Sequence, residues 1–271
     1  MDWSDAFALK RWLGQVNLRR GRAKRFPPTW RQPIMDQILK EEVDAVLFTG
    51  DFSTFSLKAE FEEAAALFAP LREKFGERLI AIPGNHDVYT RNSVKRRYLE
   101  QAFPWVHSEA ATSLDLLGIP LICVHHAVPL LLRSNGHFGS EACAALEREI
   151  AELKGKPYLL AGHFPYACPP EWPETWEHRL IGEERLAELM RRQPASIYFH
   201  GHKHVRWALR PPESPDTLCL NCGSAGMKHE DPTRQAGYLI LDINENAACE
   251  SAHSVVYNGD ETWTREALKI P

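Results

Sequence analysis

Short apolar runs that end in glycine alternate along this chain with longer stretches of helical spacing. Four runs stand out: 43–50 (VDAVLFTG), 79–84 (LIAIPG), 157–162 (PYLLAG) and 195–201 (ASIYFHG). Each is too short for a helix, is mostly apolar and stops at a turn residue, which reads as a short apolar strand. Helical periodicity predicts helices over 5–20, 29–40, 93–102, 139–153 and 182–192. Another is capped by Thr54 or Ser56, runs through Phe68 and stops near Pro70. In 139–153, Ala142, Leu146 and Ile150 share one face. A strand pair over 112–117 and 120–124 turns at Gly118 and ends at His125 and His126. Beyond 205 only strands are expected, over 205–210, 217–221, 237–242 and 252–257. An α/β half followed by antiparallel β predicts one domain over 1–271, with two mixed sheets face to face and helices outside.

Polar residues stand directly after each of the four runs. Asp51 comes after the first, Asn85-His86-Asp87 after the second, His163 after the third, and His202 and His204 after the fourth. In α/β sheets the carboxyl ends of the strands are where sites assemble. Composition sets few further bounds. The 271 residues are 44% hydrophobic with a net charge of -4. No stretch approaches the roughly 20 apolar residues of a membrane span, and no apolar leader opens the chain. The net charge and the lack of a long basic stripe count against extended nucleic acid as a partner. The basic residues between Lys10 and Arg25 form a solvated face or a substrate-facing arm. Cys219 and Cys222 form a C-x-x-C without a partner pair and read as strand-end cysteines, so a reducing, cytoplasmic setting is expected.

Asp51, Asn85, His163, His202 and His204 offer oxygen and nitrogen donors that divalent Mn, Fe, Zn, Co or Ni accept. Among them only the aspartate bridges two ions well, and two ions about 3.5–4 Å apart suit hydrolysis at phosphorus. His86 is placed to hydrogen-bond a phosphoryl oxygen or protonate the leaving oxygen, with Asp87 orienting its ring. His107, His137, His178, His229 and His253 read as surface or packing residues. In the Pro-rich loop over 165–173 and just beyond it, Tyr166, Trp172 and Trp176 either stack on a base or cover the core. That loop reads as a lid or pocket wall.

Gly50-Asp51, Gly84-Asn85-His86-Asp87 and Gly201-His202-Lys203-His204, in this order, resemble the GD, GNHD and GHxH blocks of the calcineurin-like metallophosphoesterase superfamily. The likeness is greatest to its bacterial cyclic-nucleotide phosphodiesterase-like members. The resemblance implies a four-layer αββα sandwich around two divalent ions. It implies Asp51 as the bridging ligand, Asn85, His163 and His202 on one ion, His204 on the other, and His86 against phosphate. His163-Phe164-Pro165 matches the family's middle histidine better than His125-His126. One block is missing. The family opens with a strand carrying Asp-x-His, and these 271 residues contain no Asp-x-His. The expectation is therefore an N-terminally truncated domain, a misassigned start or a lost site, with Asp2 and Asp5 as poor substitutes. Such a chain would hold one ion rather than two and be less active and less stable than a version extended upstream. The resemblance implies two alternative functions. The first is a metal-dependent phosphohydrolase acting on a small phosphoester, such as a nucleotide phosphodiester. The second is a catalytically impaired binding protein.

Overall fold

The computed structural model describes residues 23–130 and 133–271. The expectations that fall on residues 1–22 (the first helix, most of the basic arm, Asp2 and Asp5) lie outside the described residues.

Three hydrophobic clusters define the layers. The helices α1 (Arg31–Lys40) and α2 (Lys58–Phe75) bury Ile34, Met35, Phe61, Phe68, Leu71 and Phe75. They do so against Val46 and Phe48 of β1 (Val46–Phe48) and Leu79 of β2 (Leu79–Ala81). Because strand side chains alternate, Leu47 and Ile80 point the other way. There they meet Leu121 and Cys123 of β4 (Ile119–Val124), which pairs with β3 (Ala111–Leu116). The opposite face of β4 sends Ile122 and Val124 into a third cluster. That cluster also takes Leu146 and Ile150 of one helix and Leu186, Leu189 and Met190 of another. The order is therefore helix, sheet, sheet, helix: an α/β sandwich of four layers, as the sequence predicts.

Two short helices, α3 (Arg91–Lys95) and α4 (Tyr98–Ala102), replace the single one expected over 93–102. Arg97 takes a left-handed φ of 52° and breaks the run. α5 (Ser140–Glu152) and α6 (Glu183–Arg192) are the two outer helices. Helix α2 differs at both ends from its expected form. It passes through Pro70 to Phe75, because Phe61, Ala64, Phe68, Leu71 and Phe75 form one buried stripe at 3–4 spacing that outweighs the lost hydrogen bond. Its start is marked not by a hydroxyl but by Glu60, whose carboxylate accepts from the amides of Phe55 (2.9 Å) and Leu57 (3.0 Å).

Among the described residues the larger sheet has six strands, in the order β3, β4, β6 (Leu159–Ala161), β8 (Ile197–His200), β10 (Leu218–Cys222) and β9 (Arg206–Leu209). The two-stranded pair β5 (Gly136–His137) and β7 (Leu180–Ile181) lies outside it. β6, β8 and β10 run parallel, and β9 closes the edge antiparallel. The opposing layer holds the parallel pair β1-β2 and the antiparallel sheet of β11 (Gly237–Ile243), β12 (Cys249–Gly259) and β13 (Thr262–Ala267). Among the described residues β1 and β11 each have one paired neighbour, and a cavity of about 1100 Å³ lies between them. No described helix is long and apolar enough to cross a membrane. Parallel pairing through crossover helices turns β1, β2, β6 and β8 the same way, so their C-terminal turns gather on one edge.

Candidate metal centre

Two glycines let the turns after β1 and β2 touch. Gly50 has a φ of 103°, and a Cβ there would overlap the backbone of Pro83 and Gly84. A Cβ on Gly84 would overlap Asp51 Oδ1. Asp51, His202 and His204 themselves sit at φ 69°, 67° and 52°, a strained region for side-chain-bearing residues that persists where surrounding structure over-determines it.

Asp87 is the brace. Its Oδ2 accepts from the amides of Asp51 (2.8 Å) and Gly84 (2.9 Å), and its Oδ1 from the amide of Ser53 (3.0 Å) and the Ser53 hydroxyl (3.3 Å). Burial first, then the neighbouring Asp51 charge, push its pKa up to about 8, while those amides pull the other way. The expectation that Asp87 orients His86 differs from this arrangement. The His86 ring is held instead by the Thr54 carbonyl, which takes its Nδ1–H at 2.8 Å, and it stacks on Tyr89 at 5.8 Å.

Asn85, His163 and His202 converge. Asn85 Oδ1 lies 3.0 Å from His163 Nε2 and 3.0 Å from His202 Nδ1. Asp51 Oδ2 stands 3.6 Å from the same Nε2. His163 Nδ1 reaches the Thr49 carbonyl at 2.6 Å. A carbonyl only accepts, so Nδ1 carries a proton, and in the ring that holds this one proton the Nε2 lone pair faces two oxygens, those of Asn85 and Asp51. Lone pairs of an imidazole, an amide and a carboxylate facing one point match what a divalent cation requires. Burial opposes ionisation of Asp51. The His163 and His86 charges, the His86 amide (3.0 Å) and His204 outweigh it and hold the carboxyl well below its usual range. Burial, then His163, push His202 far below the usual imidazole value. His204 acts on both Asp51 and His202 through its charge and packs edge-on to Phe26 at 5.5 Å. Among the described residues no three His, Cys, Asp or Glu side chains group around an ion by themselves. The amide of Asn85 is what joins the set.

The structure places His125 and His126 behind the site. Burial leads in lowering their pKa values, to about 4 and about 3. His126 has neither ring nitrogen hydrogen-bonded, and it packs edge-on to Phe138. Tyr166 is buried with its hydroxyl 2.8 Å from Ser214 Oγ, and Trp172 lies on the core beneath the Arg234 guanidinium. Trp176 is exposed under Arg133. His178 is exposed, yet its ring lies 6.2 Å from that of His202. Sequence reading missed Glu174. It reaches the site from the Pro-rich loop, with Oε1 accepting from Lys203 Nζ at 3.1 Å and Oε2 3.9 Å from His202 Nε2. No motif marks it, because it is distant from His202 along the chain and meets it only in space.

Residues 28–206 match the family model described as calcineurin-like phosphoesterase. A cAMP/cGMP dual specificity phosphodiesterase of Mycobacterium tuberculosis is 25% identical over 165 residues, or 59% of this chain. The match spans about half of that relative, 48% of its length. Two solved structures share the fold. A dimetal phosphatase of Danio rerio superposes with a TM-score of 0.54 at 12% identity, covering 92% of this chain and 86% of its own. A protein of Thermus thermophilus superposes at 0.51 and 12% identity, covering 89% and 93%.

Proposed function

Since the chain belongs to the calcineurin-like phosphoesterase family, we propose that it is a metal-dependent phosphohydrolase acting on a small phosphodiester. Phosphoester hydrolysis is the chemistry of that family, and the distant relative named above, a cyclic-nucleotide phosphodiesterase, supports a nucleotide-sized substrate. Asp51, Asn85, His163 and His202 would hold one divalent ion, and Asp51 with His204 would contribute to a second. Bound ions of this kind lower the pKa of a water and neutralise charge on phosphoryl oxygens. The protein's own part is positional. Thr49 fixes the tautomer of His163, and Asp87 holds the Asp51 and Asn85 turns in contact. The neutral amide of Asn85 keeps negative charge low where an anionic substrate must approach. His86, held at Nδ1 by Thr54, would direct Nε2 to a phosphoryl or leaving oxygen and hold the proton that oxygen receives.

The observation that carries this reading is Asn85 Oδ1 flanked by two imidazole nitrogens at 3.0 Å. Hydrolysis of bis(p-nitrophenyl) phosphate with added manganese tests it, with His86→Ala and Asp51→Asn as controls. Activity in the parent that drops at least about 100-fold in both variants is expected. Activity that survives both sinks the assignment. The second reading, a binding protein with impaired catalysis, is favoured by the lack of Asp-x-His in these 271 residues. It predicts manganese binding without turnover.

A further inference from the structure

Two imidazoles meet at Asn85 Oδ1, and a fixed acceptor sets the tautomer of one of them. His163 gives its Nδ1–H to the Thr49 carbonyl. His202 shows the mirror arrangement, with Nδ1 toward Asn85 and Nε2 pointing away. The group facing that Nε2 is Glu174 Oε2, at 3.9 Å. Among the described residues this buried oxygen has no hydrogen-bond partner, whereas Oε1 accepts from Lys203 Nζ (3.1 Å) and from the amide of Thr175 (3.0 Å). Lys203 also donates to the Pro173 carbonyl at 3.0 Å. The residue next to His202 in the chain thus clamps the loop that carries the carboxylate. The Phe164 ring, 4.3 Å from the His202 ring, backs it on another side. The Glu174 side chain is 14% exposed and that of His202 is 8% exposed.

A buried carboxylate oxygen without a donor calls for an explanation. A donor it faces is the His202 ring, and an inward movement of about 1 Å would bring the pair from 3.9 Å to hydrogen-bonding distance. We propose that Glu174 is the positioning residue for His202. Its Oε2 accepts the Nε2–H, which turns the ring's lone pair at Nδ1 toward Asn85, as the Thr49 carbonyl does for His163. The proposal rests on the metal-centre reading above and adds to it a residue from a loop that no site motif includes. A histidine that ligates a metal commonly donates its other N–H to a carboxylate, and losing that partner costs about 10–100-fold in metal affinity.

Equilibrium dialysis against manganese tests this in the 271-residue protein. Glu174→Ala should weaken manganese binding about 10–100-fold with little change in the unfolding midpoint. Glu174→Gln, whose amide oxygen accepts without charge, should fall in between. Lys203→Met removes the clamp but leaves the acceptor, and should weaken binding by less than about threefold. A readout independent of affinity is the His202 imidazole in zinc-loaded, ¹⁵N-histidine-labelled protein. Its Nε2–H signal should be protected in the parent and lost or shifted in Glu174→Ala. An unchanged signal, manganese binding by Glu174→Ala within threefold of the parent, or a Lys203→Met defect as large as that of Glu174→Ala would each overturn the role. If the parent itself binds no manganese, the metal-centre reading falls, and this proposal with it.

Discussion

The two imidazoles that meet at Asn85 are held in opposite ways. His163 is fixed by backbone: it leaves β6, its Nδ1 is tied to the Thr49 carbonyl at 2.6 Å, and its side chain is 2% exposed. His202 leaves β8 on a strained turn, and its outer nitrogen faces a carboxylate on a loop at 3.9 Å. The Asp51–Asn85 side resembles the first case, with Asp87 gathering three backbone amides and a hydroxyl. One half of the site is therefore part of the sandwich's own hydrogen bonding. The other depends on one carboxylate brought in by a loop outside the strand-end turns. On the proposed metal-centre reading, the first half would set whether the site forms and the second would tune how tightly it holds an ion.

Asp87→Ala should show the largest effect. It leaves the amides of Asp51, Ser53 and Gly84 without their acceptor, at about 1–3 kcal/mol for each buried donor orphaned. Urea unfolding should record a loss of several kcal/mol, together with loss of metal binding.

Acid should come next. His125, His126 and His200 are buried, and burial leads in depressing them to about 4, about 3 and about 3, from an ordinary 6.5. Below pH 6.5 the unfolded chain takes up protons on these rings while the folded chain does not. The share of stability these rings contribute is therefore full above that pH and falls as pH drops toward 3–4, and Asp87, raised to about 8, opposes it by favouring the folded chain as pH falls. The slope is about 1.4 kcal/mol per pH unit for each ring. His126→Phe should flatten this acid limb in unfolding curves measured between pH 7 and pH 5.

Gly84→Ala should cost a smaller amount, about 1–3 kcal/mol, because the turn must shift to clear Asp51 Oδ1. Its mark should be a metal-binding defect out of proportion to that loss. Lys203→Met, on the loop side, should change stability by less than about 0.5 kcal/mol in the same assay. Equal stability losses for Asp87→Ala and Lys203→Met would erase the contrast between the two halves.

Legibility in the sequence divides along the same line. The strand-end turns could be read because glycine, a ligand beside it and an apolar run lie within ten residues of each other. The face of α5 could be read because 3–4 spacing and burial agree there, at Leu146 and Ile150. Pro70 misled because proline marks a stop only where nothing beyond it needs burying, and Leu71 and Phe75 do. β13 went unread because it is an edge strand whose Thr262, Arg265 and Glu266 face solvent, so it carries no apolar alternation. The role of Asp87 was legible as a residue of the motif but not as a brace, since its partners at Asp51 and Ser53 come from another turn. Glu174 was illegible for the same reason at longer range.

The most direct test of the central claim is the manganese retained per chain by the parent and by Asn85→Ala after incubation and desalting, read by elemental analysis. With its amide turned the other way, Asn85 would donate to both imidazoles and satisfy them without an ion. The convergence of Asn85, His163 and His202 as ligands predicts at least one manganese per parent chain and almost none in Asn85→Ala. A parent that retains none, or an Asn85→Ala protein that retains as much as the parent, would contradict it.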